Sequence, residues 1–324
     1  MNNIEIAQYP MISVCIPTYN RYNLLRRAVN SVLNQQFQSM EIIVSDNASP
    51  NHLWFKIQRL ADIDSRIIVR QNDVNLGWTG NLNECTKIAR GKFILFLCDD
   101  DELLPGILKY ESDYLKLNPT VGFVHTAAEI VGVTGKVSIS RSHSPQLLKA
   151  GVEALTETAL SFNITFSSVM VRKICFDKLG YFIENISADY EMWSRIASQY
   201  DIGYIDQPLV RFYIHTISNN MTVDRYISES EILFNIIQDY FPNNIKQNLE
   251  LSYKFEKQLS DGLRSLGKQS FQIGDWKRGL SFFLSAKNKY YNYRIKDFIK
   301  DMIVAIKGRI SFLFKRKNEY TTNV

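Results

Sequence analysis

The segment Phe93-Ile-Leu-Phe-Leu-Cys-Asp-Asp-Asp101 decides the fold of this 324-residue chain. Its first five residues form a continuous apolar run, which is typical of a parallel strand buried on both faces. Three consecutive aspartates follow closely where the strand ends. Polar segments also follow two earlier strand patterns, at Thr18-Tyr19-Asn20-Arg21 and at Asp46-Asn47. Because the carboxyl ends of parallel strands meet at one edge of a sheet, we expect a binding site at that edge.

Strand and helix patterns alternate through the first 130 residues. Apolar residues recur at helical spacing from 24 to 33, and Pro17 is expected to end the first strand. This alternation predicts an α/β fold with a mostly parallel, Rossmann-like sheet flanked by helices. The predicted strands are 12–16, 41–45, 66–70 and 93–97, and the predicted helices are 24–33, 53–60, 81–89 and 105–117.

The rest of the chain divides into a less regular part and a helical part. From about residue 223 onward the apolar period is helical, and few strand signals remain. We therefore expect one α/β domain at 1–220 and a C-terminal helical region at 221–324. In the less regular part, the patterns predict short strands at 122–125, 166–171 and 202–205 and helices near 152–160 and 189–198.

Composition excludes several classes of protein. The chain is 45% hydrophobic and 22% charged, as in a globular protein, and no apolar run reaches the ~18 residues of a membrane span. The first ten residues show no signal-peptide pattern. The four cysteines are scattered without ligand spacing, which disfavours disulfides and a structural zinc site. We expect a protein of the reducing cytosol.

The charge of the chain is uneven. The net charge is only +5, but residues 263–317 hold 14 Lys and Arg against 3 Asp. A protein that coats nucleic acid is therefore not expected. Apolar residues recur on one helical stripe from Ile295 to Phe314, and Lys315-Arg316-Lys317 follows. Two interpretations are open: a helix packed on the body with a solvated basic face, or an interfacial helix on anionic lipid.

Two common nucleotide-binding motifs can be tested directly. No Gly-x-Gly-x-x-Gly follows the first strand, where dinucleotide folds need glycines beside a pyrophosphate. Gly262-Leu-Arg-Ser-Leu-Gly-Lys-Gln269 is close to a P-loop, but it lacks the Ser or Thr that holds magnesium and lies in a helical pattern. Neither motif is expected to bind a nucleotide here.

The aspartates 99–101 are the strongest local signal. Three carboxylates at one strand end repel one another unless a cation neutralises them. Oxygen ligands suit Mg²⁺ or Mn²⁺ bridged to substrate phosphates. The alternative is a solvated acidic turn before the helix near Pro105.

Several segments of the chain resemble glycosyltransferase family 2 in the same order and spacing. Each segment is weak alone, and the shared order over about residues 11–220 makes the resemblance specific. It implies a GT-A fold, a sugar-nucleotide donor and inversion at the anomeric carbon. The segments are Val14–Arg21, Ile42–Ser49, Asn75–Gly77, Phe96–Asp101 with Pro105, Ser167–Arg172, Leu179–Phe182 and Ala188–Trp193, extending to His215.

The resemblance also implies roles for individual residues. Tyr19 would stack on the nucleotide base, and Asp46 would accept the N3–H of a uracil or thymine ring. Asp99 would lie near the ribose of the nucleotide, and Asp100 matches the family's main metal-binding position. By position, donor binding is implied for Thr18, Tyr19, Arg21, Asp46, Asn75 and Asp99, metal binding for Asp100, Asp101 and His215, and general-base catalysis for Asp189.

Structural interpretations of the same residues remain open. Asp46 could form an Asx turn at a strand end, and Asp189 could cap a helix. Arg21 could simply begin a helix, and a lone histidine such as His215 is more often structural.

The chain also departs from the family pattern. Cys98 stands where many relatives have Asp, and Ala188 stands where they often have Glu. Gly80 and Tyr213 replace common arginines.

The implied function is that of an inverting glycosyltransferase that uses Mg²⁺ or Mn²⁺ and a UDP- or dTDP-linked donor. The acceptor is expected to be a glycan hydroxyl, with a lipid-diphosphate carrier, in bacterial O-antigen or capsule synthesis. The protein would be cytoplasmic and peripheral to the membrane. Two alternatives remain: a nucleotidyltransferase, and a carbohydrate- or partner-binding protein that kept this fold without catalysis.

Overall fold

A computed structural model of the chain describes residues 9–133, 135–142, 145–160, 164–184, 188–214, 222–240, 249–273 and 275–289. These residues form ten strands and ten α-helices, with 3₁₀ turns at Arg59–Asp62 and Phe166–Ser168. The strands are β1 (Ile12–Thr18), β2 (Met40–Asp46), β3 (Ile67–Gln71), β4 (Phe93–Phe96), β5 (Glu102–Leu103), β6 (Val121–Val131), β7 (Val137–Ser140), β8 (Leu147–Leu148), β9 (Val169–Arg172) and β10 (Asp201–Tyr213). The helices are α1 (Tyr22–Leu33), α2 (Asn51–Gln58), α3 (Gly77–Ile88), α4 (Ile107–Leu117), α5 (Val152–Leu160), α6 (Lys173–Leu179), α7 (Ala188–Ala197), α8 (Val223–Gln238), α9 (Leu249–Ile273) and α10 (Trp276–Lys289).

The strands of the described residues form one mixed sheet in the order β3-β2-β1-β4-β9-β6-β10-β5. The first four strands in this order run parallel, so their carboxyl ends lie along one edge. β9 runs antiparallel to both β4 and β6, and β10 runs parallel to β6. The α/β organisation with a parallel core of strands, predicted from the sequence, is therefore confirmed.

Helices cover both faces of the sheet because its central strands are apolar on both sides. On one face α1, α2 and α4 bury residues such as Val29, Ile57 and Leu108 in one core with residues of the strands. On the other face α3, α6 and α7 bury residues such as Leu82 and Trp193. Both faces of the first four strands are thus sealed, and the strand ends are left to bear polar groups.

The element boundaries differ from the predicted ones in instructive ways. β1 continues through Pro17 to Thr18, which pairs with Asp46 in register. β1 pairs with β4 only from Ile12 to Cys15, and beyond Cys15 it pairs with β2 alone. Pro17, which has no N–H, therefore does not have to donate a hydrogen bond to β4. α3 begins one turn earlier than its apolar period indicates, at Gly77.

β6 and β10 are much longer than the predicted short strands. They pair in parallel with shifts in register near Pro208. Such irregularities interrupt the alternation of apolar residues, and this alternation is the signal from which strand length is predicted.

By internal contacts the chain separates into two compact units, one of residues 1–132 with 137–213 and one of residues 133–136 with 214–324. The described part of the second unit is helical. Leu259 and Leu263 of α9 pack with Ile227 of α8 and Phe282 of α10. No helix among the described residues is long and apolar enough to cross a membrane.

The P-loop-like sequence at 262–269 lies inside α9. Gly262 has a packing role, because an added Cβ would lie 1.8 Å from the Tyr226 hydroxyl of α8. The predicted basic amphipathic segment 295–317 lies outside the described residues.

Candidate functional site

A cavity of about 420 Å³ opens at the carboxyl edge of the parallel strands. It therefore lies where the sequence predicts a binding site, beyond the ends of β1, β2 and β4. The residues that line it come from the segments after these strands and from the start of α3. They are Pro17, Thr18, Tyr19, Arg21, Asn47, Asn75, Gly77, Trp78, Asn81, Cys98, Asp99 and Asp100.

The segments after β1 and β4 are joined by hydrogen bonds. The Thr18 hydroxyl donates to Asp99 Oδ2 at 2.7 Å. Arg21 Nη1 contacts Asp100 Oδ2 at 2.8 Å and Asp99 Oδ1 at 3.4 Å. Burial raises the pKa of Asp99, and Thr18 and Arg21 oppose that shift. Asn20, in the left-handed conformation at φ 58°, turns the chain between Thr18 and Arg21. The structure thus brings together four of the predicted site residues.

Asp101 is held inside the protein and is not among the residues that line the cavity. Its Oδ2 accepts from the Ser167 hydroxyl at 2.6 Å, and its Oδ1 accepts from the Tyr213 backbone N–H at 3.2 Å. Burial raises the pKa of Asp101 to about 7, and the neighbouring Asp100 adds to this effect. Asp100 is therefore the carboxylate of this pair that faces the cavity.

The donor atoms around Asp100 fit a divalent cation. One ligand atom from each of Cys98, Asp100 and Asp101 lies within 4.8 Å of the others. Two carboxylates this close repel each other, and a bound cation would relieve that repulsion. Carboxylate oxygens suit Mg²⁺ or Mn²⁺, whereas the Cys98 thiol is a softer donor. His215, the third predicted metal residue, lies outside the described residues.

Asp46 is fully buried and does not line the cavity. Its Oδ1 accepts from the Ser49 hydroxyl at 2.5 Å, and its Oδ2 accepts from Gln71 Nε2 at 2.8 Å and from the Ser49 N–H at 3.1 Å. In this arrangement Asp46 holds the turn after β2, as its structural interpretation anticipates. The neighbouring Asn47 is the residue that reaches the cavity.

Asn47 is a site residue that motif reasoning missed. Its Nδ2 donates to Asn75 Oδ1 at 2.8 Å and to the Gly77 carbonyl at 3.0 Å. Its Oδ1 accepts from the Leu76 N–H at 2.9 Å. One buried amide therefore fixes the loop before α3, which places Asn75 on the cavity wall. The signal available in the sequence was the Asp46-Asn47 pair itself, of which only the aspartate was given a role.

Arg27 is a second residue that the sequence did not single out. Its Nη2 donates to the Asp100 carbonyl at 2.6 Å, and its guanidinium lies 4.0 Å from the centre of the Tyr213 ring. The family resemblance leads us to expect an arginine at the position of Tyr213. In the structure, Arg27 of α1 brings a positive charge to that position from another element.

Two half-exposed aromatic rings line the cavity. Tyr19 is 47% exposed and Trp78 is 42% exposed. Trp78 is backed by Phe166, with ring centres 5.2 Å apart. Phe166 in turn packs on Trp193 of α7 at 6.2 Å.

Asp189 lies in the first turn of α7 and does not itself line the cavity. Burial raises the pKa of Asp189 to about 6, opposed by hydrogen bonds from backbone N–H groups. α7 begins at Ala188, so Asp189 is its second residue rather than its N-cap, and its carboxylate accepts from N–H groups of the first turn. Its raised pKa also suits a group that exchanges protons near neutral pH. The ring contacts of Trp193, Phe166 and Trp78 connect α7 to the cavity wall.

Comparison with known proteins identifies the relatives of this chain. Residues 13–179 match the family model described as "Glycosyl transferase family 2". A Campylobacter jejuni protein, described as GalNAc(5)-diNAcBac-PP-undecaprenol β-1,3-glucosyltransferase, is 45% identical over 31% of this chain and 32% of its own length. An Escherichia coli protein, described as UDP-Glc:α-D-GlcNAc-diphosphoundecaprenol β-1,3-glucosyltransferase, is 30% identical over 45% of this chain and 58% of its own length. The chain thus spans about a third of the length of the Campylobacter relative and somewhat over half of the length of the Escherichia relative.

Two solved structures resemble the fold. Staphylococcus aureus TarS 1–349 in complex with UDP-GlcNAc is 17% identical, with a TM-score of 0.55 over 87% of this chain and 93% of that fragment. The Pyrobaculum calidifontis mannosyltransferase PcManGT, in complex with GDP-Man and Mn²⁺, is 16% identical, with a TM-score of 0.56 over 94% of this chain and 88% of that protein. Both are GT-A glycosyltransferases, so the GT-A fold is confirmed.

Proposed function

Since the chain belongs to glycosyl transferase family 2, we propose that it is a glycosyltransferase that transfers a sugar from a UDP- or dTDP-linked donor to a glycan hydroxyl with inversion at the anomeric carbon. The observation that carries this proposal is the meeting of Tyr19, Arg21, Asp99 and Asp100 in one cavity. The aromatic ring of Tyr19 suits the base of such a donor, and the guanidinium of Arg21 suits its diphosphate. The carboxylate of Asp99 suits the ribose, and that of Asp100 suits a metal ion bound with the donor.

In this proposal the donor lies across the ends of β1 and β4. Tyr19 stacks on the base, Asp99 faces the ribose, and Arg21 and Asn75 bind polar groups of the donor. The bond from Thr18 fixes the Asp99 carboxylate for that contact. Asp46 remains the proposed acceptor for an imide N–H, which would replace one of its bonds from Ser49 or Gln71.

The proposed cation is Mg²⁺ or Mn²⁺, held by Asp100 with Asp101 and His215. When bound, it would offset the negative charge that develops on the leaving diphosphate. Arg21 contributes a second positive charge on the same side of the cavity. Because the family's arginines at the positions of Gly80 and Tyr213 are absent, the proposal gives Arg21 a larger share of this role.

Asp189 is the proposed general base. It accepts the proton of the acceptor hydroxyl while that oxygen bonds to the anomeric carbon. The bond from this carbon to the diphosphate oxygen breaks at the same time, and the nucleoside diphosphate leaves with the electron pair. Its raised pKa matches this role, because the carboxylate is ionised at neutral pH and still basic enough to take a proton.

The proposed acceptor is a glycan on a lipid diphosphate at the cytoplasmic face of the membrane. The names of the Campylobacter and Escherichia relatives support this, since both specify diphosphoundecaprenol-type acceptors and glucosyl transfer. UDP-glucose is therefore the first donor to test. In this proposal residues 1–220 bind the donor, and the basic end of region 221–324 contacts anionic lipid.

The proposal is tested by calorimetric binding of UDP-glucose, UDP-GlcNAc and a dTDP-linked hexose, each with and without Mn²⁺. We expect one of them to bind more tightly with Mn²⁺, and Asp100→Asn to remove that gain. Asp113→Asn is the matched control, because Asp113 is a surface carboxylate paired with Lys109 and Lys116 and does not line the cavity. Absence of binding by every sugar nucleotide would contradict the proposed function.

A further inference from the structure

Trp78 is a large apolar side chain that the fold leaves exposed on the wall of the cavity. Its indole is 42% exposed, whereas Trp193 is fully buried. Exposed apolar surface of this size forgoes the stabilisation that burial would give. An aromatic ring left open inside a ligand-sized cavity is a typical ligand contact.

The position of Trp78 is fixed by the loop that precedes it. Asn47 binds the Gly77 carbonyl at 3.0 Å and the Leu76 N–H at 2.9 Å. Gly77 adopts φ +72°, the left-handed conformation that favours glycine. Phe166 supports the indole from within the protein. The ring is therefore held in place before any ligand arrives.

A polar group shares the cavity wall with the indole. Asn75 Oδ1 accepts from Asn47 Nδ2 and from the Gly77 N–H at 2.9 Å, which fixes the orientation of the amide. Its Nδ2 has no partner among the described residues, although Asn75 is exposed on the cavity wall. A free N–H donor and an exposed indole in one cavity suit a ligand with an apolar face and hydroxyl groups at its edge, which is the chemistry of a pyranose.

Contacts connect Trp78 to both functional groups of the proposed reaction. It lines the cavity with Asp99 and Asp100, and its support Phe166 packs on Trp193 of α7, the helix of Asp189. We propose, resting on the function proposed above, that Trp78 stacks on a pyranose ring at the reaction centre and helps to select the sugar. The ring belongs either to the donor sugar or to the first sugar of the acceptor.

The test measures tryptophan fluorescence during titration with UDP, UDP-glucose and UDP-GlcNAc, in the presence of Mn²⁺. The acceptor arm adds an alkyl diphosphate carrying N-acetylglucosamine. Each titration is repeated with Trp78→Phe, and with Trp276→Phe as the control for an exposed tryptophan in the helical unit. Calorimetry on the same samples reports binding independently of fluorescence.

If Trp78 stacks on the donor sugar, a UDP-sugar changes the fluorescence, UDP alone does not, and Trp78→Phe removes the change. If Trp78 stacks on the acceptor, the fluorescence changes on addition of the alkyl diphosphate that carries N-acetylglucosamine. In either case Trp78→Ala lowers kcat/KM by on the order of tenfold or more, while Trp78→Phe retains most of it. The kinetic loss falls on the KM of whichever substrate changes the fluorescence.

Two results would overturn the inference and leave the proposed function intact. One is an equal change with UDP alone, which would assign Trp78 to the nucleobase. The other is calorimetric binding of donor and acceptor with no signal that depends on Trp78. Failure of every sugar nucleotide to bind would instead refute the proposed function and with it the basis of this inference.

Discussion

Thr18 and Asp99, 81 residues apart in the chain, are joined by a 2.7 Å hydrogen bond between the Thr18 hydroxyl and the Asp99 carboxylate. This bond links the ends of two neighbouring parallel strands. Asp99 also lies beside Arg21 and is largely buried. Its carboxylate can still accept a further hydrogen bond, for example from a hydroxyl of the sugar nucleotide. The site is therefore already arranged by contacts within the protein.

Thr18→Val tests the importance of this bond. Valine keeps the shape of threonine but leaves a buried carboxylate oxygen without its donor, which costs about 1–3 kcal/mol of stability. We expect a lower midpoint in urea and weaker binding of the sugar nucleotide. Thr158→Val is the control, because that buried hydroxyl bonds to the Ala154 carbonyl within α5. Equal donor affinity in Thr18→Val and the wild type would argue against a positioned Asp99.

Asp189→Asn tests the proposed base. The amide retains the size of the carboxylate but cannot accept the hydroxyl proton. We expect transfer to fall by a factor of about 100 to 10,000 while calorimetric donor binding is unchanged. Glu184→Gln, an exposed carboxylate just before this helix, should leave both measurements unchanged. Normal turnover by Asp189→Asn would remove the assignment.

The pH dependence of transfer follows from the same residue. A base acts only when ionised, and burial raises the pKa of Asp189 to about 6. Below this value, kcat/KM should fall about tenfold for each pH unit, and above it the rate should level off. Rates measured from pH 5 to 8, with the donor affinity measured at each pH, check this expectation. A profile that is flat through pH 6 would contradict it.

Glu111 provides a prediction about stability. It is fully buried in α4, and neither carboxylate oxygen has a hydrogen-bond partner among the described residues. Burial raises the pKa of Glu111 well above its ordinary value. Between the unfolded pKa of about 4.3 and that raised value, the folded protein holds a proton that the unfolded chain has released. Stability should therefore fall as pH rises, by about 1.4 kcal/mol for each pH unit from this group.

Glu111→Gln removes that dependence, because the amide does not titrate. Urea unfolding at pH 5 and pH 7 should show a smaller loss of stability in the variant than in the wild type. Glu84→Gln is the control, since Glu84 lies at the surface of α3 beside Lys87. The same pH slope in Glu111→Gln and the wild type would show that Glu111 does not retain its proton in the fold.

Truncation after Arg294 tests the proposed membrane contact. It removes the predicted amphipathic stripe and seven of the basic residues of the C-terminal region. We expect binding to vesicles rich in anionic phospholipid to drop at low salt, since each Lys or Arg near such a surface contributes about 1 kcal/mol. Truncation after Lys317 removes no basic residue and should bind as the full chain does. Equal binding by both would refute the contact.

Much of the fold could be predicted because its signals are local. The apolar run at 93–97 and the alternation of strand and helix patterns indicated the α/β sheet, and its parallel edge marked the place of the cavity. β9 was harder to orient, because whether a strand runs parallel or antiparallel is decided by its connections and partners rather than by its own residues. The lengths of β6 and β10 depend on pairing through register shifts, which leave no regular pattern in the sequence.

The sequence predicted which residue types form the candidate site, and the structure showed which of these residues contact one another. Asp99 and Asp100 meet Thr18 and Arg21 as expected from their shared strand edge. The sequence could not indicate that Asp101 is enclosed by Ser167 and the Tyr213 N–H, because these partners lie 66 and 112 residues away. Nor could it indicate that Arg27 lies over Tyr213, since that contact depends on the position of α1 against β10.

The sequence by itself determined the family, the sheet edge and the kinds of side chain placed there, because periodicity and motif order are properties of neighbouring residues. Only the tertiary structure decided which of those side chains face the cavity. Burial and hydrogen bonds, which for Asp101 come from distant segments, turn Asp46 and Asp101 inward and leave Asn75, Trp78 and Asp100 on the cavity wall. Desolvation, which raises the pKa of Asp189 to about 6, likewise exists only once the chain has packed around it.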